Sequence, residues 1–301
     1  MEKYLTIDIG STTFRYAVIT EELDFLKEGR MNCGSKVKSM IFDPIKELSD
    51  SFGDEIDGIT ITMPGVIDRH TGFAYSGGMY YWVRDFDYAG ELSAYTGKPV
   101  AIINDAKAAA LAELGYGNLK HVKNGIMLMV LNTGIGGAVV IDGKMYDGSH
   151  FASGEVSYMK GDYLNRENGQ DMFALSCSLS GLSREVEKTS GKKDLNMLRI
   201  FMKINDGDED VLRGVENYCD HLASYIYNVQ CVLDAERIVL GGGITEEPLM
   251  LALIQKAVNK AFDEDKYGNV PKPEMKGCCF HQHARMYGAV YNYREVMGKL
   301  K

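Results

Sequence analysis

Two strand–turn–strand units written with one grammar, one in each half, constrain this chain more than any other feature. Tyr4-Leu5-Thr6-Ile7-Asp8-Ile9 is a strand, Gly10-Ser11-Thr12-Thr13 a tight turn, and Phe14 to Ile19 a second strand. The same order returns at Ile126 to Leu131, the turn Asn132-Thr133-Gly134-Ile135-Gly136-Gly137, and the strand Ala138 to Ile141, which runs into a further turn at Asp142-Gly143. A repeat on this scale predicts two halves built to one plan.

Around those units strands alternate with helices. Gly58 to Met63 is a strand ending at Pro64-Gly65, and Val100 to Ile103 an apolar strand ending at Asn104-Asp105, with strong helix formers from Ala106 to Leu114. Val215, Cys219, Leu222, Ile226, Val229 and Leu233 recur at three- and four-residue steps, the core face of a helix. Arg237 to Leu240 is a buried strand running into Gly241-Gly242-Gly243, with a helix from Pro248 to Phe262. This alternation predicts α/β architecture, and 301 residues suit two domains.

Charge removes one class of partner. Lys and Arg number 33 and Asp and Glu 42, a net charge of −9, opposite in sign to the footprint that nucleic-acid binding needs. The six cysteines, Cys33, Cys177, Cys219, Cys231, Cys278 and Cys279, show no CxxC spacing, and the opening MEKYLTIDIG lacks the grammar of a signal peptide. No apolar run approaches the roughly 20 residues of a membrane-spanning helix. The expectation is a cytoplasmic protein with reduced thiols and neither a nucleic-acid nor a membrane partner.

The two glycine-rich turns are where chemistry can sit. Each offers backbone N–H groups and a threonine hydroxyl, Thr12 in one and Thr133 in the other, and phosphate oxygens suit both. Taken singly such a turn mostly satisfies hairpin geometry. Its repetition, with Asp8 just ahead of the first copy, points to phosphate, and a carboxylate there suits magnesium held through water. Asp105 carries two compatible readings: N-cap of the following helix, and a carboxylate at the end of a strand that accepts a hydroxyl proton while the oxygen attacks phosphorus.

Competing chemistries lack their motifs. Each Gly-Lys pair is followed by Pro99, Met145, Lys193 or Leu300, so there is no GxxxxGK[ST] loop. Neither GxSxG nor HExxH occurs, and Val139 stands where a GxGxxG fingerprint begun at Gly134 needs glycine.

In this order the pieces resemble the ROK family of sugar kinases, within the actin-like ATPase superfamily, over nearly the whole chain. Asp8-Ile9-Gly10-Ser11-Thr12 is similar to the family's DxGGT phosphate turn, and Pro64-Gly65-Val66-Ile67-Asp68 to its PGxVD segment. Asn104-Asp105-Ala106, with Ala109-Ala110-Leu111-Ala112-Glu113, is similar to the catalytic ND segment. Asn132 to Gly137 resembles the second phosphate turn, Gly154-Glu155-Val156-Ser157-Tyr158 the sugar-binding GEIGH, and Leu240 to Ile244 the nucleoside-binding LGGGI.

The resemblance implies two actin-like (ribonuclease H-like) α/β domains around a central cleft. The first spans residues 1–114 with a C-terminal helix, 284–301, returning to it, and the second spans 115–283. It implies an ATP-dependent kinase with magnesium and Asp105 as catalytic base. Gly65, Gly78, Asn104, Asp105, Glu155 and Tyr158 would meet the sugar. Asp8, Gly10, Ser11, Thr12, Thr13, Thr133, Gly134, Gly242 and Gly243 would meet the nucleotide, and Asp8 the metal. Relatives are commonly dimers, so a homodimer is expected. Repressor relatives carry a helix-turn-helix domain ahead of the first turn, which here begins at Asp8, so a DNA-binding relative is not expected.

Departures from the pattern narrow the branch. Ser11 replaces a glycine, Thr13 the usual lysine, and Asn132 the first glycine of the second turn. Gly78 stands where many members place a sugar-contacting asparagine, and Tyr158 where they place histidine. Many relatives hold zinc through that histidine and a following cysteine cluster, but Tyr163 to Ala174 contains no cysteine, so zinc is not expected. Together these features resemble the β-glucoside kinase branch, which phosphorylates the 6-hydroxyl of disaccharides such as cellobiose. Glucokinase, fructokinase and N-acetylmannosamine kinase are the alternatives within the family. A non-catalytic sugar sensor is the alternative outside it, prompted by Ser11, Thr13 and Asn132 and opposed by Asp8, Asp105 and Glu155. Tyr80, Tyr81 and Trp82 follow Gly78 and read as a platform for a second sugar ring, against the alternative of a tryptophan packing between domains. His281-Gln282-His283 is assigned no role.

Overall fold

A computed structural model describes residues 1–10, 13–34, 36–161 and 172–300. Two five-stranded sheets of matching strand order carry the chain. In the first, β1 (Lys3–Ile9), β2 (Thr13–Thr20) and β3 (Phe25–Asn32) form an antiparallel meander. β1 then pairs in parallel with β4 (Gly58–Met63), and β4 with β8 (Val100–Asn104), giving the order β3-β2-β1-β4-β8. In the second sheet β9 (Gly125–Val130), β10 (Ile135–Ile141) and β11 (Lys144–Tyr146) repeat the meander. β12 (Arg237–Gly241) and β13 (Glu274–Gly277) add the parallel strands, in the order β11-β10-β9-β12-β13.

Burial explains which runs became central strands. The central strands β4 and β9 are buried at every position, as is β8 at its sheet's edge, so both faces are covered; β8 and β9 are near-continuously apolar, while β4 alternates isoleucine with Thr60 and Thr62. β3 and β13 lie at the edges and leave alternate or successive residues exposed, which is why FLKEGRMN, with Gly29 and three charges, gives no strand signal in the sequence. Ile135-Gly136-Gly137, expected as turn, belongs instead to β10. A Cβ at Gly137 would stand 2.4 Å from the Gly154 carbonyl oxygen, so this glycine permits a close backbone approach and not a turn.

The chain divides into two compact units, one of Met1–Gly117, Asp147–Ser153 and His283–Lys301, the other of Asn118–Tyr146 and Gly154–Gln282. In the first, a small antiparallel sheet of β5 (Ile67–Asp68), β6 (Phe73–Ser76) and β7 (Arg84–Asp87) precedes α2 (Tyr88–Thr96). The alanine-rich α3 (Asp105–Tyr116) is buried from Asp105 to Glu113. It packs on α9 (Ala284–Val296) closely enough that a Cβ on Gly288 would fall 1.6 Å from the Ala108 carbonyl oxygen. Met286, Val290 and Tyr293 of α9 share a core cluster with Tyr4, Ala17 and Ile19.

Two buried cations fix the Asp147–Ser153 segment within this unit. Arg69 pairs through Nε with both Asp147 oxygens at 3.2 Å and also reaches Asn292 and Glu295. Lys107 donates to the Phe151 carbonyl. The second unit is built on α7 (Glu209–Leu233), whose face of Val215, Cys219, Leu222, Ile226 and Val229 is buried as its spacing predicts. Among the described residues no helix is long and apolar enough to cross a membrane.

Candidate active site

In the first unit the site residues gather at the carboxyl ends of β1 and β8, where ligands of open α/β sheets collect. The turn after β1 is closed by Gly10, whose N–H donates to Thr13 O at 3.0 Å. A Cβ on Gly10 would lie 2.8 Å from that oxygen, so a side chain has no room. Ser11 and Thr12 lie outside the described residues, and Thr13 opens β2 with its side chain exposed. Asp8, one strand residue earlier than Ile9, is buried. Its register partner on the parallel neighbour is Thr62, which donates Oγ1 to Asp8 Oδ1 at 2.8 Å, and Arg285 Nη2 stands 2.9 Å from Oδ2.

The other strand end corrects the capping assignment. Asn104 caps α3, its Oδ1 accepting from Ala106 N at 3.0 Å and Lys107 N at 3.2 Å, and Asp105 is the first helical residue. Asn104 Nδ2 also donates to Gly65 O at 2.9 Å, which leaves a single amide hydrogen for a ligand. Gly65 has φ 120°, and a Cβ there would meet Ser76 O at 2.0 Å. Asp105 takes one bond from Ala106 N at 2.8 Å and is otherwise unneeded as a cap. Burial raises its proton affinity, Asp8 adds to that, and the Arg285 guanidinium opposes it.

The second unit holds an equivalent turn. Leu131 N donates to Gly134 O at 3.0 Å, the same first-to-fourth bond that closes the turn at Gly10. Thr133 is exposed and Gly134 half-buried. The N-terminus of α5 (Leu179–Ser190) fixes the turn from behind, through Leu179 N to Leu131 O and Ser180 N to Asn132 O, both 3.0 Å. Ser157 joins the turn to the Gly154–Tyr158 segment, its hydroxyl accepting from Ile135 N at 2.9 Å and donating to Ile135 O at 2.8 Å. Glu155 leads into a short 3-10 turn, Val156–Tyr158, on which the Tyr158 side chain is 68% exposed. Gly242 follows β12 with φ 94°, pressed so near β9 that a Cβ would lie 2.0 Å from Val130 O, and Gly243 begins the next 3-10 turn.

A family model settles the lineage, because the model of the ROK family matches residues 4–295. The chain belongs to the ROK family. Among ROK relatives it is 27% identical to a β-glucoside kinase of Klebsiella pneumoniae, over 98% of this chain and 97% of that one. A ROK family protein from Streptococcus pneumoniae, solved in complex with sucrose, is 26% identical with a TM-score of 0.84, covering 99% and 100% of the two chains. A ROK family glucokinase from Streptomyces griseus, solved with glucose and AMPPNP, shares the fold at 19% identity and TM-score 0.81, covering 97% and 99%. The actin-like α/β fold follows.

For this ROK chain the aromatic run after Gly78 divides. Tyr80 is buried and donates its hydroxyl to Gly10 O, supporting the first glycine-rich turn. Trp82 packs edge-on against Phe42 with ring centroids 6.2 Å apart, beside Phe86 and Tyr88. Only Tyr81 of the three, 92% exposed, stays available to a ligand. Gly78 sits at φ 61°, a conformation that asparagine also tolerates, but a Cβ there would stand 3.1 Å from Pro64 Cβ, so a side chain would need Pro64 to give slightly.

Thr62, Arg285 and Ser157 were not singled out from sequence. Thr62 leaves a faint signal as a polar residue inside the apolar run ITIT, and Ser157 sits within a recognised motif. Arg285 leaves none, since its partner lies at the other end of the chain. The zinc expectation rests on residues 163–174, of which 163–171 lie outside the described residues.

Proposed function

We propose that this protein is a sugar kinase that transfers the γ-phosphoryl group of ATP to the 6-hydroxyl of a β-glucoside such as cellobiose. The observation that carries the reading is Asp105: a buried carboxylate at a strand end, released from capping by Asn104, with its proton affinity raised by burial. Such a group removes the proton of the attacking hydroxyl as the oxygen approaches phosphorus. Gly65, Gly78 and Asn104 of the first unit, and Glu155 and Tyr158 of the second, are assigned to the sugar. Gly10 to Thr13, Thr133, Gly134, Gly242 and Gly243 are assigned to the nucleotide.

Magnesium, when bound, neutralises charge on the phosphates of the donor. Asp8 suits it through water: each carboxylate oxygen already has one fixed partner, Thr62 or Arg285, and keeps a lone pair for a metal-bound water. Support for the β-glucoside comes from the Klebsiella relative and from Gly78, which stands where many members place a sugar-contacting asparagine. The test is ADP release across cellobiose, gentiobiose, aryl β-glucosides, glucose, fructose and N-acetylmannosamine. A β-glucoside is expected to exceed glucose in kcat/KM. Better use of glucose or N-acetylmannosamine reassigns the substrate, and no turnover on any sugar overturns the kinase.

A further inference from the structure

Asp8 presents a difficulty for the turn it precedes. A buried carboxylate beside a phosphate-binding turn repels the group that the turn is to hold. The turn brings no cation of its own, since its residues are Gly10, Ser11, Thr12 and Thr13. Arg15 is the cross-strand partner of Asp8 in the β1–β2 register, yet the ion pair of Asp8 is made with Arg285, the second residue of the last helix, at 2.9 Å.

That helix is a rigid base for a charge. Gly288 lies on the backbone of Ala108, and Ala284, Met286, Ala289 and Val290 are buried, so the Cα of Arg285 is fixed against α3 and the first sheet. The guanidinium has five N–H donors in a planar fork, its Nη2 stands 2.9 Å from Asp8 Oδ2, and the side chain is 26% exposed. It pairs with Asp8, two residues ahead of Gly10.

We infer that Arg285 is the positioning cation of the first phosphate turn: it orients Asp8 and cancels its charge, so that a triphosphate can enter beside it. The inference rests on the kinase reading and adds to it a residue outside the motifs that carry the family resemblance, in a chain where Thr13 stands in the position of the usual lysine. The same guanidinium acts on Asp105, where it opposes the effect of burial.

The experiment is ATP binding by calorimetry, first in a chelator and then with magnesium, for the full chain and for Arg285→Gln and Arg285→Lys. Glutamine keeps a donor to Asp8 and removes the charge, while lysine keeps the charge and loses the fork. The expected result is a loss of about tenfold or more in metal-free ATP affinity for Arg285→Gln, against about threefold or less for Arg285→Lys. Magnesium should recover part of the glutamine variant's loss. Steady-state kinetics should show kcat reduced with the sugar KM unmoved. Arg15→Gln, the neighbouring charge, should weaken ATP less than Arg285→Gln. Unchanged ATP affinity in a folded Arg285→Gln, or equal losses in the lysine and glutamine variants, overturns the inference and leaves the kinase standing. A folded wild-type protein that binds no ATP in either condition overturns the kinase reading and this inference together.

Discussion

The side-chain amide of Asn104 fastens two loops at once, donating Nδ2 to the Gly65 carbonyl at 2.9 Å while Oδ1 receives the first N–H groups of α3. The loop at Gly65 and the helix that begins with Asp105 are therefore set by one planar group. Asn104→Ala should cost about 1–2 kcal/mol by loss of the cap. Asn104→Ser should recover roughly half of that, because a hydroxyl still caps the helix. Both should raise the sugar KM, since neither reaches Gly65. Denaturant melts and initial rates together check the split.

Asp105→Asn should lower kcat by about 10²–10⁴-fold and at the same time stabilise the fold. The sign follows from the raised proton affinity of the folded carboxyl. Its stabilising contribution is whole below the unfolded pKa of about 3.9 and is lost as pH rises through the folded value. Asparagine keeps the bond from Ala106 and carries no charge to desolvate. The gain in melting temperature over wild type should thus be larger at pH 8 than at pH 5.

Tyr81→Ala tests the second sugar ring. Tyr81 is the exposed member of its aromatic run, and a ring stacked on it gains on the order of 1 kcal/mol, about fivefold. The kcat/KM for cellobiose should fall by about that factor with glucose unaffected. An equal fall for both sugars would place Tyr81 outside the aglycone contact.

Gly242 and Gly243 adjoin in sequence and differ in tolerance. Alanine at Gly242 meets φ 94° and the Val130 carbonyl at 2.0 Å, so it should cost about 1–3 kcal/mol and weaken nucleotide binding. Alanine at Gly243 finds only the Met197 methyl at 3.8 Å and should stay within about 0.5 kcal/mol. Parallel melts of the two variants read this contrast.

In the repeated units β9 was the most legible strand, because it is buried at every position and so reads as a continuous apolar run. Local chemistry located Asp105 but placed the cap one residue late, since asparagine and aspartate are equally good caps and adjoin here. For the aromatic run binding and packing were both open readings, and only burial places Tyr80 in the core. β3 is legible only once its neighbours are known, because an edge strand answers to pairing more than to its own composition. The Asp8–Arg285 pair is set by tertiary folding alone, with no periodicity or spacing to announce it.

The fastening of Asp147–Ser153 by Arg69 and Lys107, and of α9 against α3, bears on how the chain matures on the ribosome. Domains ordinarily finish in the order in which they are synthesised. Here the amino-terminal unit needs Asp147 for a buried guanidinium, Phe151 for a buried ammonium, and Tyr293 for the cluster around Tyr4, whereas the other unit has all of its residues by Gln282. The half that is translated first is thus the last to be finished, and a nascent chain stalled before its final helix carries a completed later half attached to an uncompleted earlier one.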